Sequence, residues 1–159
     1  MKLNSRWRAL FCLVAVFSAA AAGAKDLLIH AGTLIDGISG APRRQVSILV
    51  RDDKILSVEP GFVSAAGADL IDLSTATVMP GFIDCHIHMS ALFAATRNAA
   101  DLLGAADRVG SVQAGRYADL VATAGNPLDD PDQFKHVSFV MKGGMVYRRN
   151  GVETIPAPN

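Results

Sequence analysis

Residues Val78-Met79-Pro80-Gly81-Phe82-Ile83-Asp84-Cys85-His86-Ile87-His88-Met89 constrain this chain more than any other stretch, because they join an apolar run to two histidines one residue apart. In a strand successive side chains point to opposite faces, so His86 and His88 share a face and together present two imidazole nitrogens to one cation. Cys85 then faces the other way, where a free cysteine behaves as a small apolar core residue. A tetrahedral zinc ion takes four ligands, and a catalytic one usually takes three from the protein plus a water. The pair is therefore half a metal centre. Of the four histidines in the 159 residues, only His136 follows His88, so the fold has little with which to complete it.

Either side of this segment the sequence reads mainly as strands. Leu27–His30, Val46–Val50, Lys54–Val58, Leu70–Leu73 and Thr77–Ile83 are short runs of aliphatic and β-branched residues separated by Gly, Pro and Asp. Asp52-Asp53-Lys54 predicts a tight hairpin. From Ala91 to Leu103 apolar residues recur at helical spacing (Leu92, Ala95, Ala99, Leu102, Leu103), with Gly104 placed to stop the helix. Tyr117–Thr123 and Val137–Met141 alternate as strands, and Lys142-Gly143-Gly144-Met145 predicts a turn into Val146–Arg148. Ala124–Pro131 reads as a loop and Ile155–Asn159 as a frayed tail.

The Pro80-Gly81-Phe82-Ile83-Asp84-Cys85-His86-Ile87-His88 segment resembles the amidohydrolase superfamily, metal-dependent hydrolases in which Pro-Gly-Phe-Ile-Asp-x-His-x-His forms the first strand of a catalytic (β/α)8 barrel. Upstream, Asp26–Gly37 and Val46–Val58 are similar to the family's N-terminal sandwich strands. Downstream, Ala95–Gly104, Val109–Val121 and Val137–Gly144 are similar to its C-terminal end. Within the family, the segments resemble the imidazolonepropionase-like and Xaa-Pro dipeptidase subgroup. The resemblance implies a composite β-sandwich built from the two chain ends, mainly β with one helix, in which Val46–Val58 shares a core with Tyr117–Val121 and Val137–Tyr147. It also implies His86 and His88 as metal ligands, zinc or another divalent cation being the cofactor, with Asp84 in a supporting or weak-ligand role.

The resemblance breaks in the middle. A (β/α)8 barrel takes about 250 residues, and between His88 and the helix beginning near Ala91 there is no room for one, so only its first strand is expected here. The family's later ligands and base, a bridging lysine, two further histidines and an aspartate, have no counterpart. Lys135, His136 and Lys142 lie in the segment leading to the last strands, and Asp119 belongs to the sandwich motif Gly115–Val121. No catalytic residue is assigned. The expected division is a signal peptide at 1–24, half a sandwich at 25–80, the remnant barrel strand at 81–90, the helix and second half at 91–150, and a tail at 151–159.

The first 24 residues have a basic start (Lys2, Arg6, Arg8), an apolar run from Ala9 to Ala22 and an Ala22-Gly23-Ala24 site, the layout of a secretory signal peptide. The run is shorter than the roughly 20 residues that span a bilayer, so export to a periplasm or medium is expected, without a stable membrane anchor. Cleavage removes three basic and no acidic residues, taking the net charge from 0 to −3. With no basic stripe, nucleic acid is not an expected partner. Cys12 leaves with the leader and Cys85 stays alone, so no intramolecular disulfide is expected.

What the resemblance implies functionally is hydrolysis of C–N bonds in a non-peptide amide, cyclic amide or Xaa-Pro dipeptide by a metal-activated hydroxide. With the barrel missing, the chain is expected to be inactive alone. The alternative is a non-enzymatic β-sandwich module. It would self-associate, or bind a partner or a full-length amidohydrolase, through its first-strand edge.

Overall fold

The computed structural model describes residues 26–83 and 94–154. The proposed leader, the segment with Asp84, Cys85, His86 and His88, and the tail from Ile155 lie outside the described residues.

Among the described residues eight strands form one mixed sheet in the order β3-β2-β1-β4-β5-β6-β7-β8. β1 (Leu27–Leu34), β2 (Arg43–Arg51) and β3 (Lys54–Pro60) make an antiparallel meander, and Asp52 turns the β2–β3 hairpin with φ +52°. β4 (Asp69–Pro80) then lies parallel to β1 on its other side. The sequence reading has two short strands here. They are joined instead, because Ser74–Ala76 bulge past Gly32: Ala31 pairs with Leu73, and the next rung is Thr33 with Thr77. A Cβ on Gly32 would run into the Ser74 carbonyl, so only glycine lets the two strands approach at this point.

The chain then leaves the sheet and comes back. A π-type turn (Ala94–Asn98) leads into a short helix α1 (Ala99–Leu102), and the Gly104 N–H, at φ +61°, bonds the Asp101 carbonyl to end it as expected. β5 (Leu120–Thr123) pairs antiparallel with the end of β4, from Thr77↔Thr123 to Pro80↔Leu120. β6 (Val137–Lys142) and β7 (Met145–Arg149) follow, joined through Gly143 and Gly144, and then a short β8 (Val152–Glu153) that the sequence does not announce. Two expected strands are trimmed. Gly81–Ile83 leaves the ladder because β5 ends opposite Pro80, and Tyr117 makes only an isolated bridge, to Lys54.

The sheet curls so that its β2–β3 hairpin reaches the loop before β5. The Ala118 N–H donates to the Asp53 carbonyl and the Ile55 N–H to the Arg116 carbonyl, tying the β2–β3 hairpin to the loop before β5, and the Gly144 N–H donates to the Ala118 carbonyl, tying the β6–β7 turn to the same loop. The Lys54 ammonium sits 3.1 Å from the Tyr117 ring centroid across this seam. Enclosed between them is one core containing Ile29, Val46, Ile48 and Ile55 together with Leu120, Phe139 and Met141. The expected sharing of a core by the two chain ends is thus observed, within one continuous sheet folded over itself. Alternation sends the intervening residues Met79 and Val121 to the opposite face, where they form a smaller cluster with Ile35.

Candidate functional site

The candidate site is built where the two halves of the sheet meet. The chain departs at Gly81 and returns at Asp119, and these residues are neighbours: the Gly81 N–H donates to the Asp119 carbonyl at 2.8 Å. A side chain at Gly81 would press on Asp119, whose Cβ lies 3.2 Å from the position a Gly81 Cβ would take. The Asp119 carboxylate accepts the Gly143 N–H at 2.7 Å. Asp119 therefore ties the β4 exit, the β5 entry and the β6–β7 turn together, a positioning duty that agrees with its reading as a sandwich residue.

Beyond this junction lies an apolar groove of about 490 Å3 on the sheet's second face, lined by Phe82, Ile83, Val121, Val137, Val140 and Lys142 among others. Phe82 packs edge-on against Phe134 at 5.5 Å. The Ile83 N–H donates to the Ala95 carbonyl at 2.7 Å, so the π-type turn before α1 is held beside the groove.

The expected metal ligands His86 and His88 lie outside the described residues, as do Asp84 and Cys85. Among the described residues no three His, Cys, Asp or Glu side chains converge as a metal would require. The two described histidines are placed elsewhere. His30 Nε2 is 2.8 Å from the Val63 carbonyl and its ring stacks on Phe62 at 4.7 Å. His136 is exposed at the end of the 3-10 turn Pro131–Lys135. Lys135 is engaged by Asp132 at 2.6 Å, an ion pair that raises the lysine pKa. The described donors thus do not fit a metal centre.

Asp36 is the charged residue that the sequence reading passed over. It is 2% exposed, yet its carboxylate accepts the backbone N–H groups of Ile38 and Ser39 at 2.9 and 2.7 Å and the Ser39 hydroxyl at 2.6 Å. Burial pushes the carboxyl pKa up, but these donors, with Arg43 at 3.8 Å, outweigh it and hold it below the usual carboxylate range. The Asp36 carbonyl accepts the Val112 N–H at 2.9 Å, so this turn fastens the segment after α1 to the end of β1. The clue was the Asp36-Gly37 pair, with Gly37 at φ +81°.

A family model for the amidohydrolase family matches residues 89–147. The chain is 47% identical over 64 residues to a D-aminoacylase of Alcaligenes xylosoxydans xylosoxydans, covering 40% of this chain and 13% of that protein. It is 36% identical over 63 residues to a dihydroorotase of Pelotomaculum thermopropionicum, covering 40% of this chain and 14% of the relative. The matched stretch is thus about one seventh of the length of these relatives. In fold, a crystal structure of a Xaa-Pro dipeptidase with bound methionine in its active site superposes with a TM-score of 0.69 at 11% identity, over 77% of this chain and all of that one.

Proposed function

The chain belongs to the amidohydrolase superfamily, and from that premise we propose that it is a reduced member: by descent a metal-dependent hydrolase of C–N bonds, without turnover as a single chain. The observation that carries this reading is the 2.8 Å bond between Gly81 and Asp119. Because exit and return are adjacent, a barrel inserted there or removed from there leaves the sheet's ladder unchanged. The sheet folds on its own terms and contributes structure, while the chemistry belongs to an insertion of about 250 residues. His86 and His88 are the remaining metal-binding pair, for zinc or another divalent cation. The substrate class by descent is an amide, with the aminoacylase and dihydroorotase relatives favouring N-acyl and cyclic amides alongside Xaa-Pro dipeptides.

One well-placed general acid or base contributes about 10²–10⁴-fold to rate, so loss of the base together with the later ligands leaves nothing measurable. The purified, metal-loaded chain is assayed against N-acyl-D-amino acids, cyclic amides and Xaa-Pro dipeptides, beside the double variant His86→Ala/His88→Ala. Equal background in both is expected; turnover that depends on the histidines would overturn the proposal.

The apolar groove favours a second reading, a binding module. A partner or a full-length relative would cover Phe82, Val137 and Val140 where a catalytic domain would otherwise stand. Co-purification with such a relative, abolished by Val140→Asp, distinguishes this reading. In either case the proposed place of action is outside the cytoplasm, after removal of residues 1–24.

A further inference from the structure

Beside Val109 and Gly110, which also line the apolar groove, lies a second cavity of about 330 Å3, and its character is polar. Its wall carries two guanidinium side chains, Arg97 and Arg116, against one carboxylate, Asp101. Ser111 and Gln113 add neutral polar groups, with Gln113 Nε2 donating to Ser111 Oγ at 2.7 Å. Arg116 is fixed through its backbone, whose carbonyl accepts the Ile55 N–H at 3.0 Å across the seam of the sheet. Its Nη1 is buried and has no acceptor among the described residues. Buried polar atoms are as a rule hydrogen-bonded, and arginine cannot relieve the mismatch by shedding its proton. The rest of Arg116 lines a cavity whose described charges are two arginines against one aspartate, a surplus of positive charge.

We propose that this cavity binds a small oxyanion, a carboxylate or a phosphate, between Arg97 and Arg116. The planar guanidinium fork matches a pair of anionic oxygens. Arg97 stands exposed on the turn before α1 and supplies the second charge from the open side. Ser111, 7% exposed, is a neutral donor at the wall. The site shares no residue with the His86/His88 segment, so it stands or falls independently of the hydrolase reading.

The test is two-dimensional NMR of the arginine Nε–Hε groups in the purified full chain, titrated at constant ionic strength with inorganic phosphate, acetate or chloride. Saturable shifts of Arg97 and Arg116 with phosphate or acetate but not chloride are expected, and the tighter-binding arm identifies the anion. Arg97→Gln, at an exposed position that leaves the fold intact, weakens binding about tenfold or more, as expected for one lost charge-assisted contact. Arg116→Lys, which keeps the charge but loses the fork, weakens it as well. Absence of saturation, an equal response to chloride, or unchanged affinity in Arg97→Gln would overturn the proposal.

Discussion

Gly144→Ala tests whether the two chain ends truly close on one another. Gly144 has φ +74° and lies in the β6–β7 turn, where an added Cβ would penetrate the Asp52 carbonyl oxygen of the β2–β3 hairpin. Gly151 supplies the control, with φ +76° and nothing near the position its Cβ would occupy. Left-handed backbone costs a non-glycine residue about 1 kcal/mol, so Gly151→Ala is expected to lose about that much. Gly144→Ala carries the same backbone term. In addition, the hairpins must separate by more than an ångström, which breaks the bond from the Gly144 N–H to the Ala118 carbonyl and removes about 1 kcal/mol more. Loosened packing around Met141, 1% exposed at the end of β6, brings the expected total to about 3 kcal/mol. Urea unfolding of the three proteins, compared at equal m-values, reads the difference directly. Equal losses in the two variants would mean that the seam between residues 52–55 and 115–118 does not form, and the closed sheet would be refuted.

Asp36 makes stability depend on acid. Its folded pKa is held below its unfolded value near 3.8, so its contribution is present above that value and fades as pH falls through the folded one. The wild type is expected to lose more stability than Asp36→Asn between pH 5 and the acid limit, and parallel urea midpoints across that range would count against the buried carboxylate. Export is checked by intact mass: material recovered outside the cytoplasm is expected to begin at Lys25, and retention of Met1 in a membrane-bound pool would contradict it.

Much of this protein is written locally. The alternation in Val46–Val50 and Val137–Met141 marks their strands, and the paired glycines 143 and 144 mark their hairpin, because strand period and turn conformation depend on near neighbours. The His86-x-His88 spacing is legible as an expectation for the same reason, since residues two apart on a strand share a face whatever surrounds them.

The tertiary structure decided what depends on residues distant in sequence. Nothing in Leu70–Thr77 announces that three residues bulge past Gly32 to make one long strand, since that follows from how closely β1 approaches. The two-residue strand Val152–Glu153 exists only because β7 offers it an edge. Asp36 looks like a surface turn residue until Ser39 and Val112 are brought against it. Arg116 reads as an ordinary surface charge, yet in the fold it is half-buried, with one guanidinium nitrogen that has no acceptor among the described residues. A metal centre obeys the same rule: sequence supplies two adjacent donors, but the rest must converge through space, and the described sheet, complete in its own hydrogen bonding across Gly81 and Asp119, brings no others together.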